Sequence, residues 1–168
     1  SATANQSIEA NAFNGCSALE TVSLPTTLKY IGTGAFAGTA IKNLVIPEGV
    51  TDVDHDSFIN CNYLISVSLP GTLTRLGVND TYYGGVFQNC KKLETVTFAN
   101  GTKDAIIGSE TFAGCASLNA ITIPGNYTSV HKQAFLGCTA LKSLTYEKSD
   151  YSYANQTIDS DAFNGCSA

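Results

Sequence analysis

The chain has 168 residues, about the size of one ordinary domain. Its formal charge of −5, from 9 basic and 14 acidic residues, lacks the basic footprint of a nucleic-acid-binding protein. A hydrophobic fraction of 43% excludes a disordered chain, and no apolar run reaches the ~20 residues that span a bilayer. We therefore expect a folded chain that binds no nucleic acid and does not insert into a membrane.

Phenylalanine recurs along the whole chain at intervals of 22 to 29 residues, a spacing typical of repeat architectures. The series is Phe13, Phe36, Phe58, Phe87, Phe112, Phe135 and Phe163. Three residues after each phenylalanine stands a cysteine, except in the second unit, where Thr39 replaces it. This one position accounts for all six cysteines of the chain: Cys16, Cys61, Cys90, Cys115, Cys138 and Cys166.

Each unit continues with a short alternation of apolar and polar residues, as in Val22-Ser23-Leu24 and Ile121-Thr122-Ile123. This alternation predicts a strand with one buried face, which a proline ends in four of the units. A second apolar position, such as Ile31, lies five residues before most of the phenylalanines and predicts a second short strand. The Ala-Phe-x-Gly-Cys segment predicts a tight turn or a single helical turn.

One such unit is too small to bury its own apolar face, whereas stacked units share a continuous core. The sequence therefore predicts a β-rich, right-handed solenoid of about seven units of ~23 residues, with two short strands per coil. We expect residues 1–168 to form a single solenoid domain without an internal linker.

The repeated unit, which runs from Ile8 to Pro25 in its first complete copy, resembles the BspA-like leucine-rich repeat over essentially the whole chain. The resemblance implies an extracellular, cell-surface protein that serves as a scaffold for adhesion or protein binding and is not an enzyme. We expect the partner to be a protein or glycan at a cell surface, or further copies of the chain itself. The departures are Thr39 and three insertions.

The cysteine positions favour buried thiols over a disulfide framework. Equivalent positions in stacked coils have parallel Cβ directions, whereas a disulfide requires Cβ atoms that converge to about 3.8 Å. The chain has no Cys-x-x-Cys pair, and neither His55 nor His131 lies near a cysteine in sequence. We expect no catalytic residue, metal site or cofactor, and we interpret the acidic segment 52–56 as solvated charge.

Two kinds of surface are candidate partner contacts. The outward strand positions are small and rich in hydroxyl groups, which suits either a recognition surface or an ordinary solvated sheet face. The insertions predict surface loops, in which tyrosines serve as contacts or fold back over the coil. The candidate contacts are Tyr82, Tyr83, Tyr151, Tyr153, Thr95, Thr97, Thr122 and Thr145, and the candidate N-glycosylation sites are Asn5, Asn79, Asn100, Asn126 and Asn155.

Residues 1–18 and 151–168 share eleven identical positions at an offset of 150, including Phe13-Asn14-Gly15-Cys16. This similarity predicts that the chain is a window of a longer array with a 150-residue superperiod. It also leaves a second functional hypothesis open, in which the chain is a structural subunit of an extracellular filament. Such a filament would grow by end-to-end stacking or by tandem 150-residue repeats.

Overall fold

The computed structural model describes residues 6–77, 84–148 and 156–167. It contains twelve short strands and no helix within these ranges. In chain order they are β1 (Gln6–Ile8), β2 (Leu28–Ile31), β3 (Asn43–Val45), β4 (Asp52–Val53), β5 (Ser66–Leu69), β6 (Arg75–Leu76), β7 (Thr95–Phe98), β8 (Ala105–Ile107), β9 (Ala120–Ile123), β10 (Tyr127–Val130), β11 (Ser143–Tyr146) and β12 (Thr157–Ile158).

The strands build two parallel stacks, with one strand of each stack in most coils. The long sheet has seven strands in the order β1-β2-β4-β6-β8-β10-β12. The second stack consists of β3-β5-β7 followed by the separate pair β9-β11. Equivalent repeat positions lie in register, as in Leu44↔Val67 and Val67↔Val96. This confirms the predicted β-rich leucine-rich-repeat solenoid.

The phenylalanine-centred segments form turns that stack on one another through backbone hydrogen bonds. The Phe36 N–H donates to Ser57 O at 2.7 Å, and the Gly38 N–H donates to Ile59 O at 2.9 Å. Gly38 has φ of 69°, a left-handed conformation that glycine adopts without steric cost. Asn60 has φ of 59° at the same place in the next coil. The glycine or asparagine of the motif therefore meets a backbone requirement.

A continuous stack of aromatic rings runs through the centre of the solenoid. Successive rings from Phe13 to Phe163 lie 4.9–5.5 Å apart between centroids, with interplanar angles of 2–15°. The five inner rings, from Phe36 to Phe135, are completely buried. The phenylalanine period is thus the period of the hydrophobic core, as its regular spacing indicates.

All six cysteines are free thiols, and those from Cys61 onward line or pack against this core. Each thiol from Cys61 onward donates to the carbonyl of the phenylalanine one coil earlier, for example Cys90 to Phe58 O at 3.2 Å. Burial raises the pKa of Cys138 to about 12 and that of Cys115 well above its ordinary value. Thr39 is buried in the place of the missing thiol and contacts Cys61 Sγ at 3.3 Å. The hydroxyl therefore substitutes for the thiol within the same polar ladder.

Several sequence expectations fail in the outermost described coils, where the predicted core residues Phe13 and Ile158 are 40% and 48% exposed. The Val22-Ser23-Leu24 segment forms no strand, although Val22 and Leu24 still pack against the core. Leu144 is 42% exposed where the repeat predicts a core residue, and Cys16 is exposed where it predicts a buried thiol. In each case the described residues cover only one side of the coil, so the inward position keeps contact with solvent.

Thiol labelling tests the buried ladder. We expect one thiol of the folded chain, Cys16, to react quickly with a water-soluble maleimide, and the half-buried Cys166 to react more slowly. Cys61, Cys90, Cys115 and Cys138 should react only when the chain unfolds, because all four are completely buried and the reagent cannot enter the core. Mass spectrometry of the labelled peptides gives the order, and rapid labelling of all six cysteines would show that the ladder is not core.

Candidate binding surface

The candidate binding surface, which we call the strand face, consists of the outward side chains of β3, β5, β7, β9 and β11. Apart from the partly covered Ser66, all of these side chains are exposed. The pairs are Asn43/Val45, Ser66/Ser68, Thr95/Thr97, Ala120/Thr122 and Ser143/Thr145. The face therefore presents hydroxyl groups in two columns, with one coil spacing between rows and no charged side chain.

The structure brings the four predicted threonines onto this one surface. Thr95 and Thr97 lie on β7, Thr122 lies on β9, and Thr145 lies on β11. Thr97 donates to Ser68 Oγ at 3.0 Å, and Ser66 donates to Asn43 Oδ1 at 2.7 Å. Hydrogen bonds between neighbouring rows hold the hydroxyl groups in fixed orientations, which reduces the entropy lost when a partner binds.

A mixed column of charged and apolar side chains borders the strand face. Lys42 pairs with Glu20 at 2.8 Å, and the Lys92 ammonium lies 5.1 Å from the centre of the Tyr63 ring. Val45, the most exposed large apolar side chain at 67%, stands within the face itself. The surface thus combines hydroxyl groups with a few apolar and charged contacts, a composition compatible with protein binding.

The strand stack is interrupted between β7 and β9. The two strands remain neighbours in contact, but no ladder joins them. Phe98 occupies an inward position that Leu69 and Ile123 hold in the adjacent coils, and its ring meets Tyr127 edge-on at 5.0 Å. We attribute the gap to this larger side chain together with the two residues inserted after β7.

The gap opens a crevice of about 270 Å³, which we call the β7–β9 crevice. Its walls include Thr97 and Phe98 from β7, and Thr122 from β9. The buried Pro124 also lines the wall, and the exposed Asn100 and Glu147 form the rim. A second groove shares Asn100, Pro124 and Glu147 and continues the space toward Gly125 and Lys148. The repeat pattern gives no sign of this crevice.

The tyrosines Tyr82, Tyr83, Tyr151 and Tyr153 lie outside the residues that the structure describes, as do the sequon asparagines Asn5, Asn79 and Asn155. Their roles remain sequence predictions. Of the two described sequons, Asn100 is exposed at the rim of the crevice.

Asn126 does not fit the prediction of a glycan acceptor. Its side chain is only 6% exposed, and its amide donates from Nδ2 to Lys103 O at 3.1 Å. Its Oδ1 accepts the Gly101 N–H at 3.4 Å. A glycan on Nδ2 would displace these contacts, so Asn126 holds the inserted segment 100–103 against the solenoid. Only the three-dimensional contact shows this role.

The acidic segment 52–56 stabilises neighbouring coils. Asp54 accepts hydrogen bonds from Tyr30 at 2.8 Å and from Thr33 at 2.9 Å, and Asp52 pairs with Arg75 at 3.2 Å. The pKa of Tyr30 is raised to about 12, first by burial and then by the hydrogen bond to Asp54 and the negative charge of that carboxylate. No group of three potential metal ligands occurs among residues 6–77, 84–148 and 156–167. The interpretation of this segment as solvated charge is therefore wrong for Asp52 and Asp54. Both carboxylates are half-buried and join neighbouring coils.

The comparisons with known proteins agree with this geometry. The model of the BspA type leucine-rich repeat region matches residues 2–104 and 82–168 with six copies. No curated protein matches the chain. Within the described ranges, no helix is long and apolar enough to cross a membrane.

Solved bacterial structures share the fold. A leucine-rich repeat protein of T. pallidum, TpLRR, is 30% identical over 85% of this chain and 64% of its own, with a TM-score of 0.73. A leucine-rich cell surface protein of Faecalibacterium prausnitzii is 22% identical over 92% of this chain and 60% of its own, with a TM-score of 0.53. The chain thus spans less than two thirds of either protein. With its ladders of phenylalanine and cysteine and its matched repeats, the chain belongs to the BspA type leucine-rich repeat family.

Proposed function

We propose that the chain is a non-enzymatic, extracellular scaffold at a cell surface that mediates adhesion or protein binding through its strand face. The observation that carries the proposal is the run of exposed, uncharged side chains, most of them hydroxyl-bearing, that lie in register within β3-β5-β7 and within β9-β11. The described location of the F. prausnitzii protein is in keeping with an extracellular role.

The chemistry of the described side chains favours binding. The thiols of the four inner cysteines are buried and donate to phenylalanine carbonyls, which removes them as nucleophiles. The strand face, in contrast, offers many weak donors and acceptors at fixed spacing on a rigid framework. Such a surface suits a partner that it contacts over several coils, because each hydrogen bond contributes only about 1 kcal/mol.

The proposal is tested with Thr95→Lys and Thr145→Lys, which place a long cation on the strand face outside the β7–β9 crevice. Binding of the labelled chain to immobilised extracellular-matrix and serum proteins is measured for each variant. We expect at least one variant to weaken binding about tenfold or more, because a partly desolvated cation costs ~1.4 kcal/mol or more. Thr157→Lys, an exposed change on β12 of the long sheet, should leave binding unchanged. Equal binding by all three variants would refute the strand face.

A second candidate function is a structural subunit of an extracellular filament. The observation that favours it is the detailed match between residues 1–18 and 151–168, which supports a 150-residue superperiod. The two matching turns also occupy equivalent positions in the solenoid, with Phe13 and Phe163 at the two outer positions of the ring stack. In this alternative the partner is a further copy or a further array of the same coils.

The tyrosines Tyr82, Tyr83, Tyr151 and Tyr153 are proposed as additional contacts in either function, since inserted loops extend the surface of a repeat array. Asn5, Asn79, Asn100 and Asn155 remain proposed glycan acceptors for a chain that passes through a glycosylating secretory pathway. No sequence feature or described contact supports a cofactor.

A further inference from the structure

We propose that the β7–β9 crevice binds a neutral sugar residue of a glycan. This site shares Thr97 and Thr122 with the strand face, but the ligand would lie in the crevice over the gap between β7 and β9 and would not extend across several coils. The proposal is tested independently of the proposed function. Thr95→Lys and Thr145→Lys test the strand face, whereas Glu147→Gln tests the crevice.

The ladder of backbone hydrogen bonds is interrupted between β7 and β9. A strand in a parallel sheet directs alternate backbone N–H and C=O groups toward its two neighbours. On one side β7 pairs with β5, and on the far side β9 pairs with β11. The facing edges of β7 and β9 have no ladder between them, so the backbone donors and acceptors of these edges lack strand partners beside the crevice. A ligand rich in hydroxyl groups can serve both kinds of group.

The rim of the β7–β9 crevice offers polar groups to a ligand. The Glu147 carboxylate, the Asn100 amide and the Thr122 hydroxyl all line the crevice and are exposed. Within the described part of the chain, no hydrogen bond or ion pair joins these three groups to another residue. A carboxylate accepts two hydroxyl hydrogens, and an amide both donates and accepts. This donor and acceptor set matches vicinal hydroxyl groups.

Phe98 and Pro124 supply the apolar part of the wall. A sugar ring has an apolar C–H surface and a polar edge, and a crevice with one apolar and one polar wall is complementary to both. The size agrees as well. A volume of about 270 Å³ lies just below the roughly 300 Å³ at which pockets begin to hold drug-sized ligands, so it suits one small ring.

The same features disfavour other ligands. β7 and β9 remain in contact as neighbours, so an inserted peptide strand has no room between their backbones, whereas a single small ring can lie over the outer side of the gap. Among the described lining residues Glu147 is the one carboxylate, and Lys148 in the adjoining groove balances its charge, so these residues give no net charge to select an ion. The shared rim leads from the crevice into the second groove, where the next sugar of a chain would lie.

The test is an NMR titration of the amide spectrum of the unglycosylated chain. The probes are glucose, galactose, mannose, fucose, N-acetylglucosamine and N-acetylgalactosamine, used singly. We expect at least one sugar to shift the amide signals of Val96, Phe98 and Thr122, with a dissociation constant on the order of millimolar. Glu147→Gln should weaken that sugar about tenfold or more, because it removes a charged acceptor.

Glu94→Gln is the matched control. Glu94 is an exposed carboxylate directly before β7 and does not line the crevice, so this variant should bind as the unchanged chain does. Two results would overturn the proposal. One is an unchanged amide spectrum with every sugar. The other is a set of shifts that Glu147→Gln leaves unaltered, since the ligand would then bind elsewhere.

Discussion

Replacement of Phe112 by alanine should lower the free energy of unfolding by about 3–5 kcal/mol. Phe112 is completely buried, and its ring stacks on Phe87 at 5.5 Å and on Phe135 at 5.2 Å. Phe98 meets the same ring edge-on at 6.5 Å. The truncation therefore leaves a cavity in the middle of the ring stack, where coils on both sides lose packing. Urea denaturation followed by circular dichroism measures the loss.

Phe13→Ala is the internal comparison. Phe13 is 40% exposed and stacks on one ring, that of Phe36. Its truncation should cost well under half as much, because part of its surface already contacts water. A loss below about 1 kcal/mol for Phe112→Ala, or equal losses for both variants, would contradict a core built on the ring stack.

Replacement of Gly108 by alanine should destabilise the fold by about 1–3 kcal/mol or more. The Gly108 N–H donates to Leu76 O at 2.7 Å, which brings its Cα against the backbone of the preceding coil. A Cβ at Gly108 would meet the carbonyl carbon and oxygen of Gly77 well inside contact distance. Backbone atoms move less readily than a flexible side chain, so two coils would have to separate. Thermal and urea unfolding measure the effect.

His131→Ala provides the matched control, because it places the same side chain at the equivalent position after β10, the next strand along the sheet. The His131 N–H donates to Ile107 O at 2.9 Å, so that coil already accommodates a Cβ at this position. We expect its stability to change by no more than about 0.5 kcal/mol. If Gly108→Ala were as stable as His131→Ala, the close approach between the coils would not be a real constraint.

The repeated part of the fold could be predicted from the sequence because each coil imposes the same physical requirements. A core that continues from coil to coil needs a large apolar side chain at the same place in each, and Phe36 through Phe135 meet this need. The glycine or asparagine after each phenylalanine reflects a left-handed backbone position, as at Gly38 and Asn60. Because the local backbone requirement and the hydrophobic period agree, the sequence pattern was sufficient to predict the repeated part of the fold.

The departures from the repeat could not be predicted, because they depend on contacts between residues of different coils. Phe98 fits the repeat pattern as an apolar residue, yet its contact with Tyr127 accompanies the gap between β7 and β9. Asn126 matches a glycosylation motif, yet it is buried against the insertion at 101–103. Gly108 is constrained by the close approach of the Gly77 carbonyl in the preceding coil, which the sequence does not reveal.

The candidate site likewise has one part that could be predicted from the sequence and one part that could not. The four threonines Thr95, Thr97, Thr122 and Thr145 could be assigned to one face because strand alternation alone decides which side chains point outward. The carboxylate of Glu147, at the rim of the crevice, carried no sequence signal. It follows β11 and reaches the crevice only because β11 stacks on β9.

Electron microscopy of the purified 168-residue chain, together with size analysis in solution, tests the central claim of a lateral binding scaffold most directly. The account predicts dispersed single particles that associate with a foreign protein surface and lose that association when Thr95 or Thr145 is replaced by lysine. Regular fibres with an axial repeat commensurate with one 150-residue unit would contradict it and would establish the structural filament instead.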